Sequence, residues 1–225
     1  MKKLFKILTI ISGVLAVILS IFSKGDVRWT SLLYFTQQSN LWAAIMALIL
    51  LLWKNPPKYI EKIRFMVVAA IALTVIVFNA LLTPQMILEG QYSYLFSFEN
   101  VFAHYLTGIF FIIDYLLYGE KNTIKSIFYT LILPLLYFVF AMTANPLFNI
   151  MFYKSPVPYF FLDYKEYSFF KIGYAKTVEH GLKLGVFYWI IINIIIILLI
   201  GSLLYLIKGK VDEKRTSQQI DNKKE

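Results

Sequence analysis

Six long apolar runs constrain this chain more than any other feature of its sequence. They comprise residues 5–22, 31–53, 65–82, 101–118, 127–144 and 184–207. The hydrocarbon core of a bilayer is about 30 Å thick, and a helix needs about 20 apolar residues to cross it. Helices satisfy their own backbone hydrogen bonds, as hydrocarbon requires. The sequence therefore predicts an all-α integral membrane bundle of six transmembrane helices, formed by residues 1–207 as a single domain.

Composition excludes several classes of function. Of the 225 residues, 59% are apolar and 16% are charged. Soluble domains average about 45–50% apolar and about 25% charged residues, so a soluble enzyme is excluded. The chain has no cysteine, which excludes disulfides, thiolate nucleophiles and cysteine-based metal sites. It also has no G-x-S-x-G, H-E-x-x-H or phosphate-binding glycine loop, and we expect no metal or organic cofactor.

The net charge of +9 reports orientation rather than a nucleic-acid partner. If the N-terminus is cytoplasmic, the inner segments carry 15 Lys and Arg residues and the outer segments carry 7. Cytoplasmic loops of membrane proteins are enriched in these residues. The sequence therefore predicts that both termini are cytoplasmic. Residues 208–225 are polar and mixed in charge, which predicts a disordered cytoplasmic tail.

The predicted outer loop between the fifth and sixth runs, residues 145–183, is long and rich in Phe and Tyr. Long loops are often lids or binding elements, whereas aromatic rings also collect at the membrane interface. A substrate lid and an ordinary aromatic belt both fit this composition. A helical spacing of apolar residues within the loop also predicts a short interfacial helix. The residues at that spacing are Tyr167, Phe170, Tyr174 and Val178.

Polar residues inside the apolar runs are the most informative, because hydrocarbon makes them costly. Thr36 and Asn40 follow the start of the second run, Asn79 nears the end of the third, and His104 follows the start of the fourth. Successive helices alternate in direction and rise about 1.5 Å per residue, so Thr36, Asn79 and His104 are expected about 5–8 Å below the outer interface. Asn40 is placed in the same layer, one helical turn along from Thr36. This layer is the candidate site.

The chemistry of that layer favours Thr36 and His104 as a catalytic pair. Histidine ionises near neutral pH and could remove the proton of a threonine hydroxyl, which makes the hydroxyl a nucleophile. Nearby amides would support the reaction; the candidates are Gln37, Asn40, Asn79 and Asn100. A third catalytic member could be Glu99, Asn100, Asn40 or Asn79. The same residues also fit a polar packing layer between helices or a transport pathway.

Three further ionisable residues have other interpretations. Asp114 follows His104 by ten residues, or about 15 Å of helix, which is too far to orient the imidazole. We therefore expect Asp114 to be structural, as a cap or as the partner of Lys121 or Lys125. Glu179 and His180 precede the sixth run and could approach the polar layer or lie in water at the interface.

Several short motifs resemble a known family. They are Tyr34-Phe35-Thr36 within Y-F-T-Q-Q-S-N-L, Ala103-His104 with Asp114 ten residues later, and Pro158-Tyr159-Phe160-Phe161-Leu162-Asp163. In this order, over residues 5–207, the chain resembles the bacterial Pr6Pr-type six-pass membrane proteins. These are related to the eukaryotic androgen-induced and androgen-dependent membrane hydrolases.

That resemblance implies a bacterial plasma-membrane protein that hydrolyses fatty-acid esters in the lipid bilayer. It assigns the threonine nucleophile to Thr36 and the catalytic histidine to His104. The proline that the family pattern places after the histidine is absent, since Tyr105-Leu106-Thr107-Gly108 follow here. The alternative function is a non-catalytic lipid-binding or small-molecule transport protein.

Overall fold

The protein is described by a computed structural model that covers residues 1–22, 26–88, 90, 92–170, 172–174 and 182–221. Among these residues, six helices are long and apolar enough to cross a membrane. They are α1 (Lys2–Ile21), α2 (Phe35–Leu52), α3 (Lys58–Leu88), α4 (Phe98–Tyr118), α5 (Ile124–Phe148) and α6 (Val186–Asp221). The predicted all-α bundle of six membrane-spanning helices is confirmed, and the chain is an integral membrane protein.

Short elements occupy the connections. A 3₁₀ turn at Trp29–Leu33 leads into α2, and a helical turn at Tyr92–Leu95 precedes α4. Between α5 and α6, two strands pair antiparallel with Ile172 opposite Leu184. These strands are β1 (Ile172–Tyr174) and β2 (Leu182–Leu184).

The predicted interfacial helix of this loop is wrong for residues 168–170 and 172–174. A helix at Tyr164–Tyr167 ends before Ser168, whose φ of 54° is left-handed and stops a helix. The carbonyl of Ser168 then accepts a hydrogen bond from Val186 N–H, so the chain turns back onto the start of α6. Residues 172–174 form a strand, and Val178 lies outside the described residues.

Helix α3 lies at the centre of the bundle. Its residues from Phe65 to Leu73 are buried on nearly every face, and a helix that is apolar and buried all round belongs in a core. Phe111 and Tyr115 of α4 pack in the same core, with Ile197 and Ile200 of α6. Helix α1 lies at the side, against α2 and α4.

A buried ionic cluster ties three helices together. Asp114 of α4 is fully buried and accepts hydrogen bonds from Lys6 Nζ and Arg64 Nη2, both at 2.6 Å. Arg64 also donates to Glu61 Oε1 at 3.0 Å. The expected pairing of Asp114 with Lys121 or Lys125 is therefore wrong. The reason is that α3 begins at Lys58, before the apolar run, so Arg64 lies inside the bundle.

The N-terminal part of α1 and the C-terminal part of α6 lie at one end of the bundle. Lys6 and Arg215 both approach the ring of Tyr118, with 5.9 and 5.5 Å to its centroid. We call this the terminal end. The opposite end carries the long aromatic loop and is called the loop end.

The predicted disordered tail is wrong for residues 208–221, which continue α6. Lys208 is 1% exposed and bonds Asp212 one helical turn later. Arg215 donates to the carbonyl of Leu117 in the last turn of α4, where a cation also complements the helix dipole. These contacts hold the polar segment against the bundle. Residues 222–225 lie outside the described residues.

Candidate functional site

Two π-helical turns place Phe78 and His104 against each other. One turn is Phe78–Leu82 within α3, and the other is Phe102–Leu106 within α4. The two rings stack with 3.7 Å between their centroids and an interplanar angle of 13°. Such turns inside α-helices are frequent at functional sites. His104 is 8% exposed, and within the described part of the chain its Nδ1 has no hydrogen-bond partner.

Asn40 holds the backbone of Thr36 beside the backbone that carries His104. Its Nδ2 donates to the carbonyl of Thr36 at 2.7 Å and to the carbonyl of Ala103 at 2.8 Å. An amide nitrogen has two protons, so both are used. Asn40 therefore positions α2 against α4. Ser39 adds a link to α3, since its Oγ lies 2.7 Å from Thr74 Oγ1.

Tyr159 of the aromatic loop covers the first turn of α2. Its hydroxyl oxygen accepts a hydrogen bond from Thr36 N–H at 3.4 Å, and the Thr36 side chain is a second hydrogen-bonding neighbour. The first N–H groups of a helix have no partner within the helix, so a side-chain oxygen there satisfies them. Burial raises the pKa of Tyr159 above the ordinary tyrosine value, so its hydroxyl stays protonated at neutral pH.

Two cavities meet at Thr36. The first, the apolar cavity, spans about 740 Å³ between α3, α5 and α6, including the space at its opening. The second, the polar vestibule, encloses about 1030 Å³ at the loop end, including its opening. The two cavities share five lining residues: Thr36, Phe78, Leu82, His104 and Tyr159. A molecule at this junction therefore has one apolar and one polar side available to it.

Charged and neutral polar groups form part of the vestibule lining, beside apolar side chains such as Leu82 and Met86. Arg28 and Glu99 supply opposite charges, and the Arg28 guanidinium lies 5.2 Å from the centroid of the Tyr153 ring. Burial raises the pKa of Tyr34 to about 12. Burial and the neighbouring Glu99 raise the pKa of Tyr94 as well. Both hydroxyls are therefore neutral hydrogen-bonding groups over the physiological range.

The structure brings most of the predicted site residues together. Thr36 and His104 line both cavities, and Gln37 and Asn100 line the vestibule. Asn100 Nδ2 donates to the carbonyl of Tyr94 at 2.6 Å. In the described part of the chain, Gln37 Oε1 is buried without a hydrogen-bond partner. Glu99, a candidate third catalytic member, lines the vestibule together with His104.

Asn79 is not brought to either cavity. It is exposed, its Nδ2 donates to the carbonyl of Val75 at 2.7 Å, and its Oδ1 accepts from the Tyr105 hydroxyl at 2.9 Å. The contact with Tyr105 puts Asn79 near the depth of His104 but on another face. Depth in the membrane selects a layer and leaves the direction of the side chain open.

Sequence reasoning missed Tyr159 and Arg28 as site residues. Tyr159 belongs to the Pro158–Asp163 segment that carries the family resemblance, which was the available signal. Arg28 lies in the connection between the first two apolar runs, and no sequence motif distinguishes it. Glu179 and His180 lie outside the described residues. Within the described residues, no three His, Asp or Glu side chains are grouped as metal ligands.

No family model matches the chain, and no curated protein or solved structure matches it.

Proposed function

We propose that this protein is an integral-membrane hydrolase of lipid esters, with Thr36 as the nucleophile and His104 as the general base. One observation carries the proposal: a hydroxyl, an imidazole and a phenol lie where an apolar cavity meets a polar vestibule. A fatty-acid ester has the same division, since its acyl chain is apolar and its alcohol side is polar. The reacting carbonyl would lie at the junction.

In the first step, Thr36 Oγ attacks the ester carbonyl carbon and His104 takes the hydroxyl proton. The carbonyl electron pair moves to oxygen. The Tyr159 hydroxyl, which neighbours Thr36, would donate a hydrogen bond to this oxygen, and the positive end of the α2 dipole would also stabilise the negative charge. The carbonyl then re-forms, the bond to the alcohol oxygen breaks, and the alcohol leaves with the proton from His104. Thr36 now carries the acyl group.

In the second step, water from the vestibule attacks the acyl carbon while His104 removes its proton. The bond between the acyl carbon and Thr36 Oγ breaks, and Thr36 recovers a proton from His104. The products are one fatty acid and one alcohol for each ester and water consumed. Asn40 has a positioning role, because its two hydrogen bonds fix Thr36 and His104 relative to each other.

The test compares Thr36→Ala, His104→Ala and wild-type protein reconstituted in bilayer discs with a long-chain ester. We expect Thr36→Ala to abolish hydrolysis and labelling by a fluorophosphonate probe. We expect His104→Ala to lower kcat by about 10²–10⁴-fold, the range for loss of a general base. Thr143→Ala is the matched control, because Thr143 bonds its own helix carbonyl at Val139 and lines neither cavity. Unchanged hydrolysis by Thr36→Ala contradicts the proposal.

A lipid-binding or transport protein that uses the same cavities without chemistry is the second candidate. One observation favours it: among the described residues, nothing bonds His104 Nδ1, so no acid orients the imidazole there. This candidate predicts saturable lipid binding or flux that survives Thr36→Ser and Thr36→Ala alike. Binding isotherms of the two variants in discs, measured beside hydrolysis, separate the candidates.

We further propose that the terminal end faces the cytoplasm of a bacterial cell, as the distribution of Lys and Arg favours. Because the chain has no cysteine, single cysteines can report sidedness. Phe96→Cys lies at the loop end at a position that is 82% exposed, and Ser217→Cys lies on the terminal part of α6. An impermeant maleimide should label Phe96→Cys in intact spheroplasts and Ser217→Cys only after permeabilisation. The reverse pattern contradicts this orientation.

A further inference from the structure

Helices α5 and α6 cross closely at one level and separate toward the loop end. At Gly201 an added Cβ would lie 3.1 Å from both Thr130 Cγ2 and Thr130 Oγ1. The 3₁₀ segment Ile124–Leu131 packs along α6 at this crossing, whereas the α-helical segment Ile132–Phe148 hardly touches α6. The two helices therefore form a V that opens beside the candidate site.

The apolar cavity fills this opening. Its walls are Pro134, Leu135 and Phe138 on α5, and Ile190, Ile194 and Ile197 on α6. From Ile190 to Gly201 the V extends along about 16 Å of helix. Asn193 is the polar side chain on this wall, and its Nδ2 is bonded to the carbonyl of Trp189 at 2.8 Å.

We expect the opening to face the hydrocarbon of the bilayer. Both walls belong to membrane-spanning helices, and the outward side chains beside them are apolar and exposed, such as Leu136 at 63% and Ile195 at 52%. Two other helix pairs, α3 with α4 and α1 with α2, are packed closely. A Cβ at Gly108 of α4 would lie 2.8 Å from Val75 Cγ2 of α3, and one at Gly13 of α1 would lie 2.8 Å from the Asn40 carbonyl oxygen.

We propose that the opening between α5 and α6 is a lateral portal through which the acyl chain of a bilayer lipid slides into the apolar cavity and reaches Thr36. This inference rests on the proposed hydrolase function and specifies its substrate class as long-chain lipids resident in the membrane. A chain that uses the portal stays in hydrocarbon throughout, whereas the vestibule route would expose every methylene to water. The polar part of the lipid would occupy the vestibule beside Arg28 and Glu99.

The portal is tested by narrowing it. Ile194→Trp places an indole in the cavity wall, and Ile195→Trp places the same indole on the neighbouring lipid-facing position as the control. Two esters are compared in phosphatidylcholine discs: a long-chain ester in the bilayer and a short-chain water-soluble ester. We expect Ile194→Trp to lower kcat/KM about tenfold or more for the bilayer ester and less than about twofold for the soluble one, because only the first needs the portal. Ile195→Trp should change neither.

Equal effects of Ile194→Trp on the two esters, or no effect on the bilayer ester, overturn the portal. If wild-type protein hydrolyses neither ester, the proposed hydrolase function fails instead, and the portal is then judged by photolabelling.

For that measurement, a phosphatidylcholine with a diazirine at the end of one acyl chain is irradiated in discs with unmutated protein. Crosslinks to Leu73 and Thr74 inside the cavity support lateral access. Crosslinks confined to outward residues such as Leu136 and Ile195 overturn it. This readout depends neither on turnover nor on the folding of a variant.

Discussion

At the scale of single residues, Thr36 is held by neighbours from two parts of the chain. Asn40 and Ser39 bond its carbonyl from within α2, and Tyr159 accepts its N–H from the aromatic loop. Asn40 extends the same arrangement to the carbonyl of Ala103, next to His104. The backbone of the proposed nucleophile is thus satisfied on both sides, and its side chain neighbours the Tyr159 hydroxyl where the two cavities meet.

The docking of the aromatic loop at α2 predicts that stability falls in alkaline solution. The ordinary tyrosine pKa is 10.0, and in the folded protein burial raises the pKa of Tyr34 to about 12 and that of Tyr159 in the same direction. Below pH 10 both hydroxyls are protonated in the folded and unfolded states, so their contribution is fully present. Above that pH only the unfolded chain releases these protons, and the contribution is lost as pH rises toward about 12.

We therefore expect the melting temperature in detergent to fall between pH 10 and about 12, and Tyr34→Phe to fall less steeply than wild type. Tyr92→Phe is the control, since that side chain is 60% exposed at the loop end. Identical alkaline slopes for Tyr34→Phe and wild type would show that the loop does not bury this hydroxyl.

The polar residues in the second and fourth runs could be found from sequence because hydrocarbon makes each of them conspicuous. Tyr159 is one of many aromatic residues in its loop, and only the short Pro158–Asp163 motif distinguishes it. Its contact with Thr36 also spans 123 positions along the chain. The stacking of Phe78 on His104 depends on two π-helical turns. Neither turn contains a glycine or proline from which the π turn could be predicted.

At the scale of elements, all six helices are foreseeable from their apolar runs, whereas their ends are not. Helix α3 begins at Lys58 because Glu61 and Arg64, which look like interfacial residues, pair inside the bundle. Helix α6 continues past residue 207 because Lys208 and Arg215 find partners on α6 itself and on α4. In a sequence, charged residues such as these predict a solvent-exposed segment. Here their pairing with other groups of the bundle keeps the charged segments within the helices.

The crossing of α1 and α2 yields a prediction at Gly13. A methyl group there would lie 2.8 Å from the Asn40 carbonyl oxygen and 3.0 Å from Ala44 Cβ. Alanine favours a helix over glycine by about 1 kcal/mol, whereas inserting a carbon into a packed contact costs about 1–3 kcal/mol. Because the neighbour is a rigid backbone atom, the contact should dominate.

We expect Gly13→Ala to lower the free energy of unfolding and to reduce hydrolysis, since α2 carries both Asn40 and Thr36. Val14→Leu, at a position 42% exposed on the same helix, should change neither. Guanidinium unfolding in micelles, paired with ester hydrolysis in discs, measures both effects. A Gly13→Ala protein more stable than wild type would show that α1 and α2 have room to separate.

At the scale of the whole molecule, polar groups divide between the two ends of the bundle. The loop end holds Thr36, His104 and the vestibule, where Gln37 Oε1 and His104 Nδ1 are buried without partners among the described residues. The terminal half holds the cluster around Asp114, whose carboxylate oxygens are bonded to two cations. The paired charges of the cluster fix helices, with Arg64 Nε also buried there without a partner among the described residues. The unpaired polar atoms at the loop end border the vestibule and leave hydrogen-bonding capacity for a ligand.

This division predicts that Asp114→Asn damages stability without damaging the chemistry. The substitution leaves Lys6 and Arg64 buried without their shared anion, and breaking a buried ion pair in this way costs about 3–5 kcal/mol. Asp212→Asn removes the partner of Lys208, and the Asp212 side chain is 36% exposed. This substitution should therefore lower the free energy of unfolding by less. Adding Lys6→Met to Asp114→Asn removes one stranded cation and leaves Arg64 with Glu61, so part of the loss should be recovered. Unfolding in micelles measures all four proteins.

Because Asp114 lies about 15 Å along α4 from His104, hydrolysis by Asp114→Asn well below its melting temperature should stay near wild type. If stability is retained in Asp114→Asn while activity is lost, the cluster belongs to the reaction, and the assignment of separate roles to the two ends is wrong.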